Sequence, residues 1–105
     1  MTLQQIKYFI TVAESGSISE AAKRLFTAQS SISSAVKEIE NTYGITAFIR
    51  ESTGVHLTRS GEELFIEFKG ILSRLDYLNE KFNRKYRVPD PWYYSATYQE
   101  SEKIR

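Results

Sequence analysis

The stretch "FTAQSSISSAV", residues 26–36, places four serines within five positions: Ser30, Ser31, Ser33 and Ser34. Serine-rich runs usually mark linkers, so its reading decides the fold. Wound as a helix at about 100° per residue, the stretch and its continuation bring Ile32, Val36, Ile39 and Tyr43 to one face. Ser30, Ser33, Ser34, Lys37 and Asn41 fall on the opposite face. A linker has no reason to keep that register. The spacing predicts a helix over about residues 28–43, ended by Gly44.

Upstream, Leu3, Ile6, Phe9, Ile10 and Ala13 repeat at the helical 3–4 spacing and predict a first amphipathic helix that stops near Gly16. "SISE" follows. Ser17 is placed to cap a second helix, with Glu20 reaching back to form a capping box. Ile18, Ala21, Ala22 and Leu25 supply its buried face, and the alanines permit close approach. Downstream, "ITAFIR" and "GVHLT" flank "ESTG" and predict a two-stranded hairpin. Phe48, Val55 and Leu57 are expected inward, Ile49 and His56 outward. Thr58 or Ser60 then caps a long helix, and Ser60 with Glu63 repeats the capping-box pattern.

Along that helix Leu64, Phe68, Ile71, Leu75, Leu78 and Phe82 step 4, 3, 4, 3, 4. This is a heptad seam, and it points to a homodimer through the helix. The rival is packing on the chain's own N-terminal domain. A helix of about 25 residues spans about 40 Å, too long for so small a domain to cover. Beyond it, "KFNRKYR" is basic and "VPDP" breaks the helix. In "WYYSATY", Trp92, Tyr94, Ala96 and Tyr98 alternate with Tyr93, Ser95 and Thr97, as in a strand. A lone strand makes no sheet: either it pairs in a dimer or the chain is a fragment of something longer, and the fragment is the expectation.

Composition bounds the function. The chain has 105 residues, 41% hydrophobic and 26% charged, which suits one small folded domain. No apolar run approaches the roughly 20 residues of a membrane span, and no secretory signal opens the sequence; the expectation is a cytoplasmic protein with no membrane partner. With no cysteine and one histidine, no metal site and no cofactor are expected. Glu62 and Glu63 are adjacent carboxylates, but they fall in a first helical turn, where acids complement the dipole. No nucleophile elbow or phosphate-binding glycine loop is present, so no enzyme is expected. Net charge is +1, and residues 1–60 hold six Lys or Arg against five Glu. A nucleic-acid binder of this balance must rely on a few well-placed contacts.

Two short helices joined by a tight turn, the second polar on its outer face, make a helix-turn-helix whose second helix suits a major groove. Serine hydroxyls donate and accept, and their small size lets the helix backbone lie close to the groove floor. Gln29 has the chemistry for a bidentate contact to adenine, Lys37 for phosphate. The hairpin tip, Glu51–Gly54, becomes a wing, with Arg50 and His56 as candidate phosphate contacts. A solvated polar face, an ion-paired Arg50 and a plain surface histidine are the competing readings.

Taken together, "GSISEAAKRL", Gln29, Ser33, "EIE" with Gly44, "FIR", "LTRSG" and the long helix resemble the N-terminal domain of LysR-type transcriptional regulators, over roughly residues 3–82. The resemblance implies a mainly α fold: a winged helix-turn-helix of three helices plus a two-stranded β wing, followed by a long dimerisation helix. It implies domains at 1–58 (winged helix-turn-helix), 59–87 (linker and dimerisation helix) and 88–105 (hinge and start of a truncated effector-binding domain). It implies a bacterial, sequence-specific transcription regulator that binds double-stranded DNA at an inverted repeat. A tetramer and a small-molecule effector belong to a form with the effector domain. The expected DNA contacts are Thr27, Gln29, Ser30, Ser33, Ser34, Lys37, Arg50, Thr53 and His56. The alternative is a dimeric winged-helix interaction module without DNA binding. Several positions depart from the family's pattern. Ala28 stands where a capping Ser or Thr is frequent, with Thr27 as its substitute, and Ser30 stands where Pro is common. Ser34, Thr53 and His56 stand where cations are frequent, which argues against high non-specific affinity.

Overall fold

A computed structural model describes residues 1–85. The order of elements is α1 (Leu3–Ser15), α2 (Ile18–Arg24), α3 (Gln29–Tyr43), β1 (Phe48–Glu51), β2 (Gly54–Leu57) and α4 (Arg59–Lys85). The fold is mainly helical with one antiparallel wing, in register Phe48↔Leu57 to Glu51↔Gly54. The strand expected over residues 92–98, and the hinge and effector segment expected from 88 on, lie outside the described residues.

Each helix end has a local cause. Thr2 caps α1: its Oγ1 accepts from the Gln5 amide at 3.1 Å while Gln5 Oε1 accepts from the Thr2 amide at 3.0 Å. This closes a reciprocal box that the sequence reading passed over. Ser17 caps α2 by accepting from the Glu20 amide at 3.0 Å. The return half of that box does not form. The Ser17 amide donates to Ser15 Oγ at 3.3 Å, and the Glu20 carboxylate pairs with Arg24 instead. Helices α1 and α3 end at Gly16 and Gly44, both left-handed.

The core forms in two adjoining clusters. In one, Ile6, Phe9, Ile10, Ile39, Ala47 and Phe68 are buried. Phe9 stacks obliquely on Phe48 at 4.9 Å and meets Phe68 edge-on at 5.1 Å, geometries that aromatic quadrupoles favour. In the other, Val12, Ala21, Ala22, Ile32 and Val36 close the helix-turn-helix. The inward face of α3 is thus Ile32, Ala35, Val36 and Ile39. Tyr43, expected on that face, is exposed, because the last turn of α3 carries it clear of the core. The wing faces fall as expected: Phe48, Val55 and Leu57 are half-buried, Ile49 and His56 exposed.

Two glycines fix the wing and α4 against the helices. Gly54 lies so close to the α1–α2 turn that a Cβ would stand 2.6 Å from the Gly16 carbonyl oxygen, which accepts the neighbouring Val55 amide at 3.0 Å. A Cβ on Gly61 would collide with the Ala47 carbonyl. Thr58, not Ser60, caps α4. Its Oγ1 accepts from the Gly61 amide at 3.0 Å and donates to the Thr46 carbonyl at 2.6 Å, and its amide donates to the Ala47 carbonyl at 2.9 Å. Glu40 completes this corner from α3, its Oε2 accepting from the Ala47 amide at 2.7 Å and the Phe48 amide at 3.3 Å.

The described part of the chain falls into two compact units, Met1–Leu72 and one that begins at Ser73. The heptad seam divides between them. Phe68 is buried in the first unit's core and Leu64 packs against it, as does Leu72, which the seam did not include. Phe68 is therefore a core residue of the chain itself and Leu64 packs half-buried against that core, so the seam is not exposed along its whole length. In the second unit Leu78 and Phe82 are exposed, while Leu75 is half-buried. Ile71, the remaining seam residue, is exposed within the first unit.

Candidate nucleic-acid interface

The outer face of α3 presents the expected polar set. Gln29, Ser30, Ser34 and Lys37 are exposed, and Ser33 and Thr27 are half-buried. The burial of Ile32, Val36 and Ile39 fixes this register, since rolling the helix outward would expose all three. Thr27 does not take over the capping role. Ala28 is the N-cap, and no side chain caps α3. Among the described residues the first-turn amides of Gln29 and Ser30 therefore stay open, which suits an anion.

On the outer side of α3 the wing and the helix share a crevice. Ser33 and Lys37 of α3 and Arg50 of β1 line a common crevice of about 170 Å³, floored by Val36 and Phe48. Among the described residues neither Lys37 nor Arg50 makes an ion pair, so the ion-paired reading of Arg50 is not realised within them. Thr53 and His56 differ. Thr53 Oγ1 and His56 Nε2 are hydrogen-bonded at 2.8 Å, and the Glu51 carboxylate stands 3.7 Å from the same nitrogen. These two side chains are committed to shaping the wing turn before any ligand arrives.

Helix α2 adds residues that the sequence reading missed. Ser19 and Lys23 are exposed and border the same hollow as Thr27 and Gln29. Their four-residue spacing on the face opposite Ala21 and Ala22 was the available signal. On the far side, Ser30 and Ser31 share a hollow with Gln5 and Tyr8 of α1. Glu38 lies beside Ser34 and Lys37, so the surface mixes hydrogen-bonding groups with few charges. Such a surface holds a polyanion by placed hydrogen bonds more than by field.

Known proteins share this arrangement. A family model described as the bacterial regulatory helix-turn-helix protein, lysR family, matches residues 3–62. The HTH-type transcriptional regulator GalR of Pseudomonas putida is 40% identical over 74 residues, 70% of this chain and 19% of GalR. CzcR of Bacillus cereus is 34% identical over 82 residues, 78% of this chain and 28% of CzcR. The chain thus spans under a third of the length of these curated relatives. Among solved structures, the complex of the BenM DNA-binding domain with catB site 1 DNA matches with a TM-score of 0.79 at 28% identity, over 84% of this chain and 99% of that one. The complex of the CbnR DNA-binding domain with DNA matches with a TM-score of 0.76 at 31% identity, over 83% and 100%. With its helix-turn-helix and wing inside the matched residues 3–62, the chain belongs to the LysR family of bacterial helix-turn-helix regulatory proteins.

Proposed function

We propose that this chain is the DNA-binding part of a transcription regulator that binds an inverted-repeat site as a dimer. Helix α3 enters the major groove, and the wing lies against the adjacent backbone. Gln29, Ser30, Ser33 and Ser34 meet base edges or phosphates, Lys37 and Arg50 meet phosphate, and Thr27, Thr53 and His56 contribute at the margins. The observation that carries this reading is the crevice shared by Ser33, Lys37 and Arg50, which joins the outward face of α3 to the wing in one surface. Its support from outside is the likeness to DNA complexes of BenM and CbnR.

Residues 1–58 form the DNA-binding unit in this proposal and 59–87 the dimerising linker, through Ile71, Leu75, Leu78 and Phe82. Residues 88–105 lead toward an effector-binding domain, and effector response and any tetramer belong to a chain that carries that domain. The relatives are named as regulators, and no catalytic activity is proposed. No described helix is long and apolar enough to cross a membrane, in keeping with a cytoplasmic regulator. The second reading, a dimeric interaction module without DNA binding, draws on one observation: Thr53 and His56 hold each other where cations would serve a wing better.

Anisotropy against a pool of bacterial genomic fragments, repeated across salt concentrations, separates the two. The expected result is selective binding with a shallow salt slope, because few phosphates are neutralised. Gln29→Ala and Ser33→Ala should each weaken specific binding by about 1–3 kcal/mol and barely touch non-specific binding. A folded dimer that prefers no fragment over any other sinks the regulator reading.

A further inference from the structure

Phe26 stands in the turn between α2 and α3 with 95% of its surface exposed, the most of any large apolar residue described. Its φ is +51°, and among the described residues no other non-glycine residue has a positive φ. A bulky side chain in that region meets a steric penalty that Gly or Asn largely avoids. Leaving a whole phenyl ring in water is a second unfavourable term. Two costs at one residue of a turn that other residue types would fill more easily point to a role outside the fold.

The surroundings say which. Phe26 borders a shallow hollow whose walls include Ser19, Lys23 and Gln29. A protein partner anchored on a buried ring would look for a wide apolar surround; here the exposed neighbours are the Ser19 hydroxyl, the Lys23 ammonium, the Gln29 amide and, as the one apolar group, the small Ala28 methyl. The edge of a DNA major groove matches that mixture. It offers phosphate to Lys23, a base edge to Gln29 and, to the ring, the one apolar group that a base pair displays there, the thymine 5-methyl. Phe26 precedes Gln29 by three residues, at the N-terminal end of α3, the end that reaches base edges in helix-turn-helix proteins.

We propose that Phe26 is a specificity-determining residue that reads a thymine methyl at the margin of the site. The proposal rests on the DNA-binding reading above. Its test uses a duplex enriched from a random library by the 105-residue chain, remade with deoxyuridine in place of each thymine in turn. Deoxyuridine removes only the methyl. The unaltered protein should lose about fourfold in affinity at one or two thymines, the equivalent of one unburied methyl. Phe26→Asn, whose side chain tolerates the left-handed turn, should lose the thymine–uracil difference at those positions. It should bind the deoxyuridine duplex as the unaltered protein does and melt at the same temperature or higher. A full thymine–uracil ratio retained in Phe26→Asn overturns the proposal, as does indifference of the unaltered protein to every deoxyuridine. A lowered melting temperature overturns it too, by showing that the ring serves the fold. If no duplex is enriched at all, the DNA-binding reading itself fails and takes this one with it; an enriched duplex read without Phe26 leaves that reading standing.

Discussion

The two parts of α4 share one heptad register and differ in surroundings, although Ile71 in the first is exposed and Leu75 in the second half-buried. In the part that belongs to the first unit, Phe68 is 1% exposed, locked edge-on against Phe9, with Leu64 and Leu72 packed around it. In the part from Ser73 on, Leu78 is 46% and Phe82 44% exposed. The apolar period is the same; what it covers is not. A seam reports that a helix face avoids water, and it carries no information about which surface does the covering.

The largest break of this comparison is Phe68→Ala. Emptying a fully buried aromatic site should cost about 3–5 kcal/mol of unfolding free energy, read by urea titration. A cost under about 1 kcal/mol would mean that Phe68 behaves like the exposed seam residues. The mirror experiment is Leu78→Glu. The melting of the first unit should not move, since Leu78 lies outside it. The dissociation constant of the proposed dimer should rise on the order of 100-fold, because association would bury an unpaired carboxylate. Sedimentation across a concentration series measures this. An unchanged dimer would remove Leu78 from the interface and restrict any seam to Ile71 and its neighbours.

How legible all this was in the sequence depends on whether the signal was local. The register of α3 was readable, since Ile32, Val36 and Ile39 repeat at helical spacing and all three are buried. The wing faces were readable for the same reason with period two. Tyr43 was misread because periodicity continues to a helix's last turn while the core does not. The capping of α2 was half readable: Ser17 caps, but Ser15 Oγ takes the amide that Glu20 was expected to hold. No pattern could have assigned the first half of the α4 seam to Phe9 and Phe48, which lie 59 and 20 residues from Phe68 in the sequence. The outward polar stripe of α3 was legible from the same register. Phe26 was not, because a left-handed turn is normally announced by Gly or Asn, and here a phenylalanine conceals it.

What holds the first half of α4 on the core can be sharpened at its start. Gly61→Ala should cost about 1–3 kcal/mol, an overpacking penalty, because the added methyl collides with the Ala47 carbonyl and backbone must move. If the variant is as stable as the parent, the α4 entry is looser than these distances imply, and the tight approach to Ala47 is not what anchors the helix.

The smallest effect discriminates between two hydroxyls one residue apart. Both Thr58 and Ser60 read as caps in the sequence, yet only Thr58 accepts the Gly61 amide while donating to the Thr46 carbonyl. Thr58→Ala should therefore cost about 1 kcal/mol, and Ser60→Ala should stay within about 0.5 kcal/mol of the parent. Thr58→Ser keeps the hydroxyl and should recover most of the loss. The reverse order would place the helix start two residues later. Gly61 would then lose the Thr58 cap and depend on another acceptor, and the close approach of α4 to Ala47 would need a different cause. With the expected order, the entry of α4 is fixed by side-chain and backbone bonds. In its second half Leu78 and Phe82 are exposed and Leu75 half-buried, and that is the face the proposed dimer would cover.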